Sequence, residues 1–189
     1  MKDPILKENK VVIGPCRLSY THLFEKYVPE GGDAAQGKFM TNVLIPKDEK
    51  KTIAAINKAI ESAKQTAIVS RWSGKEPKKL DLPLRDGDEK DDDSGVYADC
   101  FYLNAKCSTK PGIVDKHKEP ITDEEEVYSG MWAYVSLTFY GYYVSGNAGI
   151  ACGLNNVMKF KDDERLGGRT SAANDFADIE FDDEDDDDL

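Results

Sequence analysis

Residues 131–160 read MWAYVSLTFYGYYVSGNAGIACGLNNVMKF, and this stretch decides the fold because its side chains sort onto two faces at the period of a β-strand. One face is mainly apolar and carries Val135, Leu137, Phe139 and Tyr143. The other face alternates aromatic rings with small hydroxyl side chains, namely Trp132, Tyr134, Ser136, Thr138, Tyr140 and Tyr142. Residues 145–149, SGNAG, supply turn chemistry. The pattern therefore predicts a β-hairpin with one core face and one candidate stacking face.

The register of this hairpin has one alternative. A bulge at Gly141 would exchange the two faces beyond it and move Tyr143, in place of Tyr142, onto the ring-bearing side. The pattern alone leaves both registers open.

Shorter patterns elsewhere predict further strands. Residues 11–18, 38–45, 96–103 and 113–115 have the apolar or alternating character of strands. The Gly14-Pro15 pair suits an edge or a bulge in the first of them, because proline cannot donate a ladder hydrogen bond.

One convincing helix lies between these strands. Residues 47–71 predict a helix, because Asp48 can cap it and apolar side chains recur at spacings of three and four: Ile53, Ile56, Ile60, Ala63 and Ala67. We expect this stripe to cover one face or opening of the sheet. Thr122 and Glu125 predict a capping box for a single helical turn at residues 122–126.

Five or six strands, one inserted α-helix and long loops predict a mainly β fold. The counts favour the OB-fold, a five-stranded Greek-key barrel, and a β-sandwich is the alternative. We expect a flexible N-terminus at residues 1–10, an OB-fold domain at residues 11–165 and a flexible, disordered acidic C-terminal tail at residues 166–189.

The net charge of −11 is unevenly distributed along the chain. Residues 175–189 contain ten acids and no base, which leaves 26 acids and 25 bases in the first 174 residues. Two more acidic clusters lie at residues 86–93 and 123–126. Outside these segments the body holds 16 acids and 24 bases, so a cationic body carries a polyanionic end.

Aromatic and basic residues together suggest a surface for single-stranded nucleic acid, because rings stack on bases and cations neutralise phosphates. For Trp72 a structural interpretation, anchoring the basic loop at residues 70–89 to the core, is equally weighted. The candidate rings are Phe39, Trp72, Tyr97, Tyr102, Trp132, Tyr134, Tyr140 and Tyr142. The candidate cations are Arg17, Lys38, Lys75, Lys78, Lys79, Arg85, Lys106 and Lys110.

The sequence offers little for catalysis, metals or cofactors. Its four cysteines have no paired close spacing, and the acids at residues 86–93 depart from a calcium-loop pattern at Lys90 and Asp91. It has no phosphate-binding glycine loop and no nucleophile elbow. We expect neither metal nor cofactor and no enzymatic activity. The alternative is a metal-dependent nuclease, or a recombination accessory enzyme, that uses the acids at residues 86–93.

Several motifs resemble a family of bacteriophage proteins that includes single-stranded DNA-binding proteins of phage replication. They are LPLRDGDE at residues 82–89, KPGIVD at 110–115, the block from VYSG at 127–130 through GLNNV at 153–157, and LGGR at 166–169 with DFAD at 175–178. The resemblance spans about residues 11–178. It implies an OB fold, sequence-independent binding of single-stranded DNA, and an acidic C-terminus that recruits replication enzymes.

We therefore expect a protein that coats and protects single-stranded DNA in the cytoplasm of an infected bacterial host, without a signal peptide or membrane span. It could assemble cooperatively or as a homo-oligomer on DNA. Its tail would compete with DNA for the basic groove and bind a polymerase, helicase/primase or recombinase. The tail residues expected at that partner are Phe181, Asp185, Asp186, Asp187, Asp188 and Leu189. A phage structural or assembly protein is a third interpretation.

Overall fold

The computed structural model describes residues 1–91 and 94–167. Eight strands and one long helix follow in the order β1 (Ile5–Lys7), β2 (Lys10–Tyr27), β3 (Lys38–Pro46), α1 (Lys50–Ser70), β4 (Leu84–Asp86), β5 (Cys100–Cys107), β6 (Gly112–Val114), β7 (Trp132–Val144) and β8 (Asn147–Lys161). Single 3-10 turns occur at Ala34–Gln36 and Glu124–Glu126. No helix in the described part of the chain is long and apolar enough to cross a membrane.

Five of these strands close into a barrel. The ladder runs β5–β3–β2–β7–β8, and β8 returns to β5 through parallel pairs that join Ala105 to Cys152 and Lys106 to Gly153. The other barrel pairs are antiparallel. Strands β1, β4 and β6 extend this barrel at its edges. The prediction of an OB-fold is confirmed, and the sandwich alternative is wrong.

The core lies where the apolar faces of the barrel strands meet α1. Val135, Leu137 and Phe139 of β7 are fully buried, as predicted from their spacing. The buried face of α1 carries Ala55, Ile56, Ala59, Ile60, Ala63 and Ala67. Tyr143 departs from the prediction because it lies near the end of β7 and is 60% exposed.

The β7–β8 hairpin has the register that keeps Tyr142 on the ring-bearing face. Pairing is continuous from Leu137 opposite Leu154 to Val144 opposite Asn147, so Gly141 is not bulged. The irregularities lie closer to the start of β7, between its pairs at Trp132 and Ala133 and at Ser136 and Leu137.

The N-terminal residues, expected to fray, instead pair with the barrel. Ile5 lies opposite Val12 in an antiparallel pair, and the Lys2 N–H donates to the Gly14 carbonyl at 3.0 Å. The Met1 ammonium donates to Glu49 Oε1 at 2.7 Å. The sequence did not reveal these contacts because they join residues far apart in the chain.

Three local predictions are corrected. Glu49, not Asp48, occupies the N-cap of α1 and makes no side-chain capping bond. Asp123, not Thr122, caps the second 3-10 turn by accepting from the Glu125 N–H. The strand expected at residues 96–103 is β5, displaced to Cys100–Cys107 because residues 94–99 turn across the barrel. The irregularity expected at Gly14-Pro15 is confirmed as a register shift between Ile13 and Cys16.

Candidate nucleic-acid interface

Two adjoining cavities form a groove on the outside of the barrel beside the β7–β8 hairpin. Their volumes are about 710 and 190 Å³, and Asp81 and Tyr142 line both of them. We call this the hairpin groove and define it by Lys79, Asp81, Arg85, Lys106, Tyr140 and Tyr142. Five of these six residues were among the candidates from sequence, and Asp81 was not.

Backbone pairing brings the basic loop to the hairpin. The Asp81 N–H donates to the Ala148 carbonyl at 3.0 Å, and the Ile150 N–H donates to the Asp81 carbonyl at 2.9 Å. Gly149 permits this approach, because a Cβ there would lie 2.7 Å from the Asp81 carbonyl oxygen and 2.6 Å from Tyr142 Oη. A loop distant in sequence is thereby fixed at the edge of β8.

Asp81 connects two of the candidate contact residues. Tyr142 Oη donates to Asp81 Oδ2 at 2.9 Å, and Arg85 Nη2 lies 3.5 Å from Asp81 Oδ1. Burial, followed by the hydrogen bond to Asp81, raises the pKa of Tyr142. Tyr142 therefore remains a neutral hydrogen-bond donor at physiological pH.

Tyr140 presents the more open ring of the groove. Its side chain is 50% exposed. A Cβ on Gly153 would lie 3.2 Å from Tyr140 Cε1, so the ring lies close to backbone that has no side chain. Lys106 of β5 is exposed and pairs with Gly153 in the parallel ladder, which places a cation beside this ring.

A separate cavity of about 790 Å³ lies on the outer side of β2, and we call it the mouth cavity. It is lined by β2 residues, by the segments at residues 94–97 and 164–167, and by Ser129. Tyr97, a candidate ring from sequence, is only 2% exposed in its wall. Asn42 Nδ2 donates to Tyr97 Oη at 2.7 Å, and Tyr97 Oη donates to Ser19 Oγ at 3.3 Å.

Tyr97 covers part of the face on which OB folds bind their ligands, the outer face of the second and third barrel strands. Those strands are β3 and β5 here, and Asn42 of β3 lies directly opposite Asn104 of β5. Tyr102 of β5 meets the Tyr97 ring edge-on, with centroids 5.2 Å apart. The open parts of this region are the hairpin groove, where Asn104 lines the smaller cavity, and the mouth cavity.

The other end of the β7 ring face is occupied by protein contacts. Trp132 Nε1 donates to Asp163 Oδ2 at 2.6 Å, and Tyr134 packs edge-on against Phe160 at 5.8 Å. Arg17 donates to the carbonyls of Gly130 and Glu164 at 3.3 and 3.1 Å. Arg17 and Trp132 thereby hold residues 163–164, which follow β8, against the barrel. Trp132 and Tyr140 lie eight positions apart on β7, a distance of about 26 Å, so the predicted single face is divided in two.

Two more predicted rings are buried. Phe39 and Trp72 are 8% and 7% exposed, and Trp72 belongs to the core cluster. Trp72 Nε1 donates to the Tyr142 carbonyl at 3.1 Å. The anchoring interpretation of Trp72 is therefore the one that the structure supports. The indole nevertheless contacts the backbone of a groove residue.

The remaining candidate cations are exposed but dispersed. Lys38 Nζ lies 2.6 Å from Ser108 Oγ, and Lys110 Nζ lies 3.9 Å from the centre of the Phe24 ring. Lys75 and Lys78 lie on the loop that leads to Lys79. They extend the cationic surroundings of the hairpin groove along the chain without lining it.

Two of the acids proposed for the nuclease alternative, Asp86 and Asp88, pair with one lysine. Lys47 Nζ lies 2.5 Å from Asp86 Oδ1 and 2.7 Å from Asp88 Oδ2. Hydrogen bonds from Lys47 lower the pKa of both carboxyl groups, and they raise the pKa of Lys47. Within residues 1–91 and 94–167, no group of three or more acids, histidines and cysteines could hold a metal ion.

The family follows from comparison with known proteins. The sequence model of a protein family, described as the single-stranded DNA-binding protein of Enterobacter phage Enc34, matches residues 9–189 of this chain. This chain belongs to the Enc34 family of single-stranded DNA-binding proteins. The family is non-enzymatic, as predicted, and the nuclease alternative is wrong.

A relative and two solved structures are similar to this chain. The Enc34 protein in complex with single-stranded DNA has a TM-score of 0.74 and 26% identity, covering 88% of this chain and 95% of that chain. Protein p50 of Acyrthosiphon pisum secondary endosymbiont phage 1 is 30% identical over 181 residues, covering 90% of this chain and 94% of p50. The single-stranded DNA-binding protein gp2.5 of bacteriophage T7 shares the fold, with a TM-score of 0.54 and 18% identity over 92% and 97% of the two chains.

The predicted partner-binding residues lie outside the described part of the chain. Phe181, Asp185, Asp186, Asp187, Asp188 and Leu189 follow residue 167, the last described residue. Their role therefore rests on sequence and charge.

Proposed function

We propose that this protein binds single-stranded DNA without sequence preference during phage replication and recombination, and that the hairpin groove is a main contact surface. The observation that carries the proposal is the convergence of Tyr140 and Tyr142 with Lys79, Arg85 and Lys106 around one groove. Three separate parts of the chain contribute these residues, namely residues 79–85, β5 and β7. The known complex of the Enc34 protein with single-stranded DNA supports the transfer of this function.

The groove suits an unpaired strand better than a duplex. An exposed ring such as Tyr140 can stack on any base, because every base has a π face, whereas bases in a duplex are already stacked. Lysine and arginine contact phosphates and release counterions, which also requires no particular sequence. Binding only the unpaired state would remove hairpins by mass action and shield the strand from nucleases.

We further propose that the acidic tail has two roles. Ten acids in residues 175–189 can occupy the cationic groove when DNA is absent and leave it when DNA binds. The released tail would then offer its charges, with Phe181 and Leu189 as apolar anchors, to a polymerase, helicase/primase or recombinase in the cytoplasm of the infected bacterium.

The test is a fluorescence anisotropy titration of labelled oligo-dT with the full chain over a range of salt concentrations. We expect binding that weakens with salt, with a contribution of about −0.7 to the log–log slope from each phosphate that a groove cation neutralises. Unlabelled duplex of equal length should compete poorly. Absence of oligo-dT binding at low salt, or equal competition by duplex, would contradict the proposal.

A further inference from the structure

Asp81 is an acid in the middle of a cationic groove. Its carboxylate accepts from Tyr142 Oη at 2.9 Å through one oxygen and faces Arg85 Nη2 at 3.5 Å through the other. Its backbone N–H and carbonyl both form hydrogen bonds with β8, at Ala148 and Ile150. The side chain is about half exposed, at 55%, and lines both cavities of the groove. It is therefore held at a fixed place where a phosphate would be repelled.

We propose that Asp81 is a positioning residue for single-stranded DNA and an internal counter-anion for Arg85. This inference rests on the proposed function and adds a specific step to it. In the free protein Asp81 holds the Tyr142 hydroxyl and pairs with Arg85. When the strand binds, a phosphate replaces the carboxylate as the partner of Arg85, while Tyr142 keeps its hydrogen bond to Asp81.

The exchange follows from the geometry of the two contacts. The Arg85–Asp81 pair is long and exposed, with half of each side chain open to solvent, so it is easily broken. The Tyr142–Asp81 bond is shorter, at 2.9 Å, and is charge-assisted. Because the two contacts use different carboxylate oxygens, Arg85 can leave without releasing Tyr142.

The exchange has a measurable electrostatic consequence. When Arg85 moves to a phosphate, the Asp81 carboxylate loses its partner and takes up a cation from the salt, so the exchange releases fewer counterions in total than a phosphate contact made by an unpaired arginine. The remaining carboxylate also repels the DNA backbone at short range. Asp81 should therefore weaken binding and flatten its salt dependence, which would help a coating protein to leave DNA when a polymerase arrives.

The decisive variant is Asp81→Asn, which removes the charge but retains an oxygen that can accept from Tyr142. In the oligo-dT titration we expect about two- to fivefold tighter binding at low salt, as for the loss of one exposed charge interaction. The log–log salt slope should steepen by about 0.7, the value for one additional phosphate contact. Unchanged affinity and slope in a folded Asp81→Asn protein would overturn the inference.

Matched variants separate charge from position. Asp3→Asn removes the same charge from an exposed acid that pairs with Lys51, in the first turn of α1 and away from the hairpin groove. It should leave the log–log salt slope unchanged. Tyr142→Phe removes the hydrogen bond but not the charge, so we expect weaker binding with the wild-type slope. In an Arg85→Gln background Asp81→Asn should no longer steepen the slope. A steeper slope in that background, or in Asp3→Asn, would contradict the exchange.

The result distinguishes failure of this inference from failure of the proposed function. If wild-type protein does not bind oligo-dT, the proposed function fails. If wild-type protein binds and Asp81→Asn has its affinity and slope, only the role of Asp81 fails. Circular dichroism and thermal melting of each variant verify folding.

Discussion

Tyr140 and Tyr134 have the same orientation in the sequence pattern of β7 but different surroundings. Tyr140 is half exposed beside Lys106, whereas Tyr134 packs edge-on against Phe160. A strand period assigns side chains to a face, but neighbours from other strands decide whether a ring on that face is open. At the scale of single residues, the structure therefore favours the Tyr140 end of β7 for stacking on bases.

Tyr140→Ala should weaken oligo-dT binding by about 5- to 150-fold, which corresponds to the roughly 1–3 kcal/mol of one base–ring stack. Tyr140→Phe retains the ring and should bind within about twofold of wild type, since stacking does not use the hydroxyl. Tyr134→Ala is the matched comparison and should change affinity by less than about twofold, because its ring already contacts Phe160. A larger loss for Tyr134→Ala than for Tyr140→Ala would place the interface at the other end of β7.

At the scale of elements, the position of α1 on the barrel depends on a residue without a side chain. Gly141 of β7 faces Ala67 of α1, and a Cβ at Gly141 would lie 2.1 Å from the Ala67 Cβ. Trp72, just beyond α1, also lies 3.5 Å from this point and donates to the Tyr142 carbonyl. The helix end, the buried indole and the strand that carries Tyr140 and Tyr142 are therefore packed as one unit.

Gly141→Ala should destabilise the fold by about 1–3 kcal/mol, because an added methyl group in a close-packed contact forces the elements apart. Chemical denaturation measures the change as a lower midpoint with an unchanged slope. Ala67→Gly removes the opposing methyl group, so the double variant should be more stable than the sum of the two single effects predicts. Additive effects would show that α1 and β7 do not meet at these residues.

The sequence predicted secondary structure best where one element carries its own pattern. The helix stripe, the buried residues of β7 and the hairpin turn follow from local spacing, and all are observed. The short strands β1 and β4 were missed, since three residues carry too little periodicity and their pairing partners are distant or displaced. The start of β5 was misplaced because the turn at residues 94–99 also contains apolar residues.

At the scale of the whole molecule, charge is divided between a cationic body and ten acids near the C-terminus. The described chain ends at residue 167 in the wall of the mouth cavity, after Arg17 and Trp132 have bound the backbone and side chains of residues 163–164. Residue 167 therefore lies on the outer side of β2.

Deletion of residues 175–189 should tighten oligo-dT binding at low salt by about tenfold, with the two proteins converging as salt screens the tail. The same deletion should abolish co-precipitation of replication partners. A chain whose tail residues are shuffled is the control: competition depends on charge and should persist, whereas partner binding requires Phe181 and Leu189 in their places. Weaker DNA binding by the truncated protein would contradict competition by the tail.

The sequence by itself determined the mainly β class, the core face of β7, the helix and the opposition between body and tail charges. These follow from local periodicity and composition, which a linear chain displays directly. It also supplied most residues of the hairpin groove as separate candidates. Their convergence could not be derived from spacing, since the groove joins residues 79–85, β5 and β7.

Only the tertiary structure decided which candidates can act together. It paired β5 with β8 and placed Asp81 between Tyr142 and Arg85. It buried the rings of Phe39, Trp72 and Tyr97. It also used Arg17 and Trp132 to hold the segment after β8. The physical reason is that exposure and charge pairing depend on neighbours brought by long-range strand pairing. Alternation along β7 specifies the direction of each ring, and the neighbouring strands specify what that ring meets.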